Sequence, residues 1–377
     1  MSTTISQTTP YIYDFDEPGE SRLEMLGGKC ASLVSLTAAG MPVPPGFTVT
    51  TSSYDAFVAE TGISEQIRSL LDGLDPADTD RVEEVSAQIR EAICSRPVPD
   101  AVRQETRTAY ERLQSRFEEP VPVAVRSSAT AEDLPGASFA GQQDTYLGLQ
   151  GIEAVTEHIR QCWASLYTAR AITYRMRNGI PDEGLSMAVA VQKMVNARVA
   201  GVAITMNPTT GDRSQITVDS SWGVGEMVVS GEVTPDNFVL DKVTLVTVGQ
   251  TIGDKHAELQ KDPETGDLIE VPVDEQRRKA PSLTEQQLMA LGALAKRAER
   301  HYGCPQDIEW ALDADLPEGE DLLLLQSRPE TVFSGSTTPA GDSQPGIQSQ
   351  PAGSTAGAAT GFSMSGITSS MLNGRSG

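Results

Sequence analysis

The spacing of apolar residues changes near the middle of the chain. From about Ser52 to Phe117 the sequence is rich in Glu, Arg, Ala and Leu and reads as several helical pieces. From about Glu153 to Arg177, Val155, Ile159, Cys162, Leu166, Ala169, Ile172 and Met176 recur every three or four residues, the spacing of one helix face. Asn178-Gly179 is the expected stop, with Pro181 beyond it. The period then shortens: SMAVAVQKMV (186–195), VAGVAITM (199–206), QITVDSS (215–221) and DNFVLDK (236–242) read as strands. The short turns between them favour antiparallel pairing. A helix over about 284–302 precedes two last strands, QDIEWAL (306–312) and DLLLLQSR (321–328).

Ahead of the helical half, residues up to about Glu20 read as a loose arm. LGGKCASLVSLTAAGMPVPPGFTVT reads as a Gly turn, a short helix from Ala31, a Pro-rich turn and a strand over 47–50; VPVAVR (121–126) is a further strand. Helices gathered first and strands second imply an α+β protein of two lobes. The expected divisions are an arm (1–20), an N-terminal lobe (21–195), a C-terminal lobe (196–333) and a Ser/Gly/Pro-rich tail (334–377). The tail has too few large apolar residues to offset its ordering entropy and is expected to be flexible.

Composition narrows the function classes. A chain of 377 residues has room for two or three packed units, at roughly 100–200 residues each. No apolar run approaches the roughly 20 residues that span a bilayer, and the amino terminus has no basic start followed by an apolar core, so no membrane role and a cytoplasmic location are expected. A net charge of −23 disfavours nucleic acid, whose phosphates demand concentrated Lys and Arg. The cysteines Cys30, Cys94, Cys162 and Cys304 form no CxxC pair and suggest neither zinc nor a disulfide framework. They are expected to be reduced, mostly buried thiols.

Two common nucleotide signatures are absent. LGGKCAS has Leu23 where a P-loop requires its first glycine, and SWGVGEMVVSG lacks the third glycine of a dinucleotide loop. Gly27-Gly28-Lys29 nevertheless places a cation beside backbone that can approach an anion, and Arg126 at a strand end offers a fork suited to phosphate oxygens. The plainer alternative makes Lys29 a solvated lysine and Arg126 the partner of Glu132 or Asp133. Ser127, Ser128, Thr130 and Ser138, with Gly136 and Gly141, are able to donate to phosphates or simply to form turns.

Strand alternation puts Asp307 and Glu309 on one face, and likewise Gln326 and Arg328. Two carboxylates so placed suit Mg²⁺, or make a solvated acidic edge; Arg328 is placed to neutralise a phosphoryl group or to pair with Glu309 across the sheet. Gln192-Lys193 interrupts an apolar strand, so the backbone near Met194 and Val195 is open to two readings, an adenine edge or a strand leaving the core. Glu226, after the glycines of SSWGVGEMVV, is a candidate for a ribose hydroxyl.

LGGKCASLVSL with MPVPPGFTVT, AVRSSATAEDLPGASFAGQQDTYL, VQKMV, SSWGVGEMVVSGEVTPDNF, YGCPQDIEWAL and LLLLQSRPETV occur in this order from about Leu23 to Val332. Together they closely resemble the ATP-binding module of phosphoenolpyruvate synthase and pyruvate phosphate dikinase. The resemblance implies an ATP-grasp-like fold whose largely antiparallel lobes close over ATP and Mg²⁺. It makes Lys29, Arg126 and Arg328 phosphate ligands and catalytic residues, puts adenine at Gln192, Lys193, Met194 and Val195, and gives metal and phosphate roles to Glu309 and Gln326, with Asp307 nearby. Cys30 stands where small or amide residues are usual in the family.

In that family the module phosphorylates a histidine on a swivelling domain. His158, His256 and His301 do not resemble the family's Thr-Ser-His loop. The resemblance therefore implies an ATP subunit whose phosphocarrier histidine and acceptor site lie on a partner, as in phenylphosphate and 4-methylphenyl phosphate synthases, where ATP yields AMP and phosphate while a phenol or cresol is phosphorylated. A subunit serving pyruvate or a rifamycin is the enzymatic alternative, and a non-catalytic nucleotide sensor the alternative of another class.

Overall fold

The computed structural model describes residues 10–17, 23–130, 133–134, 137–138, 144–262 and 266–330. The chain begins with β1 (Ile12–Asp14), α1 (Leu23–Ala38) and β2 (Gly46–Val49). The helices α2 (Thr51–Thr61), α3 (Ile63–Leu71), α4 (Thr79–Cys94) and α5 (Asp100–Gln114) follow. Next come β3 (Val123–Ala129), the short β4 (Asp133–Leu134) and β5 (Ala137–Ser138), β6 (Thr145–Leu149), α6 (Ile152–Ser165), α7 (Ala169–Asn178) and β7 (Met187–Lys193). The remainder is mainly strand: β8 (Ala197–Ile204), β9 (Gln215–Trp222), the single-turn α8 (Glu226–Val229), β10 (Asp236–Asp241) and β11 (Thr247–Thr251). A hairpin of β12 (Ala257–Lys261) and β13 (Leu268–Pro272) leads to α9 (Glu275–Lys279), α10 (Glu285–Tyr302), β14 (Gln306–Asp313) and β15 (Leu322–Pro329).

Two main sheets organise these elements, and the pairs within both are antiparallel, as the α+β reading expected. The first has the order β1-β2-β7-β3-β6, the second β11-β10-β9-β8-β14-β15. On the first, Phe47, Val125, Val189 and Val191 pack with Phe57, Ile89 and Trp163 from the helices. On the second, Val199, Val218, Phe238 and Trp310 meet Leu288, Leu291 and Ala295 of α10. Each such side chain contributes on the order of 1.5–3 kcal/mol when fully buried. Among the described residues no helix is long and apolar enough to cross a membrane.

Helix α1 joins the two halves. Leu33 and Val34 pack with Ala190 of the first sheet, whereas Leu36, with Met41 just beyond, enters the second core. Ser32 Oγ donates to the Ser327 carbonyl at 2.7 Å and meets the Tyr302 hydroxyl at 2.8 Å, and Ser35 Oγ meets His301 Nε2 at 2.7 Å. The strands divide between Lys193 and Ala197, but the packing does not divide there.

Several expectations require correction. The helix read over 153–177 is two helices, because Thr168 is extended (φ −62°, ψ 149°) and its Oγ1 caps α7 by accepting from Ala171 N. Both helices bury the same side, so the apolar spacing continues through the break. The expected loose arm contains β1, an edge strand that carries buried Tyr13 and is followed by buried Phe15; residues 1–9 and 18–22 lie outside the described residues, as does the tail. Helix α1 starts at Leu23 rather than Ala31, with a break at Gly27. Although β7 and β8 are consecutive, they do not pair: β7 lies between β2 and β3, and β8 between β9 and β14. Cys94 and Cys304 are only partly buried, while Cys30 and Cys162 are fully so; all four are free.

The second half also encloses an ionic network. Lys255 and Asp236 are both fully buried, 2.5 Å apart, and the ammonium also donates to the carbonyls of Gly253 and Arg278. Asp236 accepts in addition from Gly253 N and from the amide and hydroxyl of Ser282. Removing one member leaves the other buried without its counter-charge, which costs about 3–5 kcal/mol. Lys255→Met should lose that much stability in guanidinium unfolding. Lys279→Ala, at an exposed pair with Glu275, should change it by no more than about 0.5 kcal/mol.

Candidate active site

The site begins where α1 meets β3. At Gly27 the backbone turns to φ +66°, and a Cβ there would lie 2.1 Å from the Ser128 carbonyl oxygen. Only glycine meets both demands. Across this break Ser128 Oγ donates to the Leu26 carbonyl at 2.9 Å and accepts from Cys30 N at 3.1 Å. Lys29 is thereby placed against β3, where its Nζ donates to the Ser127 carbonyl at 3.2 Å. Burial pushes the nearby Cys162 thiol well up, keeping it protonated.

Arg126 projects from β3 towards the second sheet. Its Nη2 donates to Glu309 Oε2 at 2.5 Å and its Nη1 to the Leu325 carbonyl at 3.4 Å. The carbonyl is available because of a bulge: Glu309 pairs with Gln326 and Trp310 with Leu324, leaving Leu325 outside the register. Among the described residues Arg126 thus pairs with Glu309; Glu132 and the side chain of Asp133, its other expected partners, lie outside the described residues. Arg328 pairs with Asp307, through Nη2 at 2.7 Å and Nε at 2.9 Å, rather than with Glu309.

The alternation expected of the last strands is present: Asp307 opposes Arg328 and Glu309 opposes Gln326, directly across the ladder. Among the described residues, buried Gln326 Oε1 and Arg126 Nε have no hydrogen-bond partner. Burial acts to raise the Glu309 pKa, but Arg126 foremost, then Arg328 and Lys29, outweigh it and hold the carboxyl below the usual range. Burial prevails at Asp307, whose pKa is raised despite Arg328, with Glu309 and Glu330 adding to the effect. Glu226, at the start of α8, is also raised, by burial of its carboxyl and by Glu309, against Arg126. These electrostatic couplings bring Lys29, Arg126, Glu226, Asp307, Glu309 and Arg328 into one neighbourhood.

The segment expected to meet adenine already has several protein partners. Gln192 is buried and donates through Nε2 to the Pro44 carbonyl, and Lys193 Nζ pairs with buried Asp313 at 2.9 Å. Met194 Sδ accepts from Gly148 N at 2.9 Å, and Val195 packs with Ala200, Ala311 and Leu323. The amides of Lys193 and Met194 donate to the carbonyls of Pro45 and Pro122. Sequence reasoning missed the Lys193–Asp313 tie and the Leu325 carbonyl, since register and bulges leave no composition signal. Of the hydroxyls, Ser127 Oγ donates to the Asp144 carbonyl and Thr130 Oγ1 to that of Ser186. Gly136 and Gly141, and the side chain of Ser138, lie outside the described residues.

The described residues hold no group of three or more His, Cys, Asp or Glu placed as metal ligands. Glu309 and the unpartnered Gln326 oxygen supply two protein oxygens, which fits Mg²⁺, an ion that commonly takes its remaining ligands from water and substrate phosphates.

Residues 23–344 match the pyruvate phosphate dikinase, AMP/ATP-binding domain. Phosphoenolpyruvate synthase of Aeropyrum pernix is 43% identical over 345 residues, covering 85% of this chain and 42% of its own. Rifampicin phosphotransferase of Streptomyces sviceus is 43% identical over 329 residues, covering 86% and 36%. The chain thus spans less than half the length of either relative. D-alanyl-alanine synthetase A of Vibrio cholerae aligns over 65% of this chain and 54% of its own at 10% identity, with a TM-score of 0.23, too low to carry a fold assignment.

The depressed Glu309 pKa fixes a sign. The contribution of its ion pair is complete above the ordinary carboxyl value of 4.5 and is lost as pH falls through the lower folded-state value. In Arg126→Met the largest opposing charge is gone, and the Glu309 pKa should rise. Carboxyl-carbon NMR titration checks this; an unmoved midpoint would remove Arg126 as the cause.

Proposed function

Because the chain belongs to the AMP/ATP-binding domain family of pyruvate phosphate dikinase, we propose that the site between its sheets binds ATP with Mg²⁺ and passes a phosphoryl group to a histidine on a partner subunit, water taking the third phosphate so that AMP and phosphate are left. The observation that carries this reading is the juxtaposition of Arg126 with Glu309 beside the unpartnered Gln326 oxygen. One pair of elements there offers a fork for phosphate, and the other offers oxygens for a metal.

In this reading Lys29, Arg126 and Arg328 bind phosphate oxygens and neutralise charge during transfer. Glu309 and Gln326 hold Mg²⁺, with Asp307 close by; the ion, when bound, screens the phosphates. Arg126 exchanges Glu309 for a phosphate, so neither charge is left bare in the low-dielectric gap. Glu226 meets the ribose. Adenine lies along Gln192 to Val195, held through backbone carbonyls and the apolar part of the Met194 side chain, since the Gln192 amide, the Lys193 ammonium and the Lys193 and Met194 N–H groups have protein partners. The lobes, 21–195 and 196–333, close on the nucleotide in an ATP-grasp-like manner.

The histidines of this chain favour an acceptor elsewhere. His158 Nδ1 is bonded to the Ala154 carbonyl and its ring meets Tyr146, while His301 is bonded to Ser35. His256 is exposed at the start of the β12–β13 hairpin. The final acceptor is a phenol or cresol, chosen by the partner: relatives named for phosphoenolpyruvate synthesis and for rifampicin phosphotransfer match this chain equally well, at 43% identity each. Retention of Arg126, Glu309, Gln326 and Arg328 together favours transfer over mere sensing.

Calorimetry of the purified chain tests the reading. MgATP should bind with one-to-one stoichiometry, and EDTA should abolish binding, because the triphosphate then meets Glu309, Glu226 and Asp307 unscreened. Glu309→Gln should weaken MgATP binding about tenfold or more, the worth of a charged ligand, while making the residual binding far less sensitive to EDTA. No heat of binding at millimolar MgATP for a folded wild-type chain would refute the proposal.

A further inference from the structure

The sheet face that carries Glu309 continues beyond the residues assigned to ATP. The register places Gln326, Glu309, Val202, Asp219 and Asn237 directly opposite one another on β15, β14, β8, β9 and β10. Opposed residues in an antiparallel sheet point to the same side, so these side chains form a single row. Arg328, Asp307, Ile204, Thr217 and Val239 form the row beside it. The intervening residues Ile308, Trp310, Val218 and Phe238 belong to the core under α10, so both rows lie on the opposite side. Val202, Ile204, Asp219 and Asn237 are all partly exposed there. Two strand spacings of about 4.8 Å put Asp219 about 10 Å from Glu309, with an aliphatic surface between them.

Asp219 is not fully engaged by the protein. Asn237 Nδ2 donates to its Oδ1 at 2.7 Å, and among the described residues no ion pair or further hydrogen bond reaches it. Burial raises its pKa, opposed by the Asn237 bond alone. A neutral amide would accept from Asn237 equally well without the cost of partly desolvating a charge. The remaining oxygen therefore suits a ligand N–H on which positive charge develops.

Resting on the ATP reading above, we infer that Asp219 Oδ2 accepts the ring N–H of the phosphoacceptor imidazole and aims the opposite ring nitrogen at the phosphoryl group held at the Arg126–Glu309 end of the row. The ring lies against Val202 and Ile204. Its lone pair forms the N–P bond to the β-phosphorus as the bond from that phosphorus to the α-phosphate oxygen breaks, the oxygen keeping the electron pair and leaving with AMP; water then takes the terminal phosphate off the carried group. Positive charge develops on the ring, and the N–H···O⁻ bond strengthens as it does so. The N–H proton then passes to Asp219 and on to solvent, leaving a neutral phosphorylated ring. An interaction that grows along the reaction in this way accelerates transfer rather than merely retaining the acceptor.

Methyl NMR of the full chain with Mg²⁺ and a non-hydrolysable ATP analogue tests the inference, using imidazole and 1-methylimidazole as probes at about pH 8, where an imidazole is mainly neutral. Imidazole should shift the Val202 and Ile204 methyls and bind about tenfold more tightly than 1-methylimidazole, which has no N–H. Asp219→Asn, which preserves shape and the Asn237 contact, should reduce that preference to under about threefold while MgATP affinity stays within twofold. Equal binding of the two probes to the wild type, or a preference that survives in Asp219→Asn, overturns the inference. A tenfold loss of MgATP affinity in the variant also overturns it, by placing Asp219 in the nucleotide site. If the wild type binds no MgATP the ATP reading fails; if it binds MgATP but does not distinguish the probes, only the Asp219 assignment fails.

Discussion

The pairing of Arg126 with Glu309 constrains the rest of the structure. Each belongs to a different sheet and each is largely removed from water, so each carries a desolvation cost of several kcal/mol that its own lobe does not offset. Such a pair adds little net stability, yet losing either member is expensive. The result is positional: β3 must face the β14–β15 edge at hydrogen-bonding distance for both charges to be satisfied. The charges that would replace each partner, an anion for Arg126 and a cation for Glu309, arrive together in a metal–phosphate complex. The gap is therefore electrically complementary both to itself and to such a ligand.

The remaining ties between the halves reinforce that position. Lys193 reaches buried Asp313 from the first sheet to the second, and α1 is bonded through Ser32 to β15 and through Ser35 to α10. The break at Gly27 lets the start of α1 lie on β3 closely enough for Ser128 to bond both sides of it, which sets Lys29 on the same flank as Arg126. Lys29 and Arg126 from the first half and Asp307 and Glu309 from the second thus converge although separated by about 180 residues or more in sequence.

What could be read from sequence follows the range of the physical signal. Helix α10 was legible because its cap is local: Thr284 and Gln287 exchange hydrogen bonds as a capping box. Strands β14 and β15 were legible from alternation, which also set Asp307 with Glu309 on one face. The break between α6 and α7 was hidden because the apolar stripe passes through it, and β1 because three residues carry no usable period. The separation of β7 from β8, and the partners chosen by Arg126 and Arg328, depend on non-local register. The residue types of the site came from motifs and family resemblance, whereas the Lys193–Asp313 tie and the Leu325 carbonyl emerged only from the three-dimensional arrangement.

The bulge at Leu325 has a consequence for how this edge can vary. One additional residue in β15 brings Gln326 and Arg328 opposite Glu309 and Asp307 while Leu324 faces the core beside Trp310. Removing Leu325, the one residue between Leu324 and Gln326, would restore a regular ladder with both pairings kept, but would take away the out-of-register carbonyl that Arg126 reaches. That contact is thus held in the number of residues between two anchors. Side chains at the bulge are open to exchange, but its length is not.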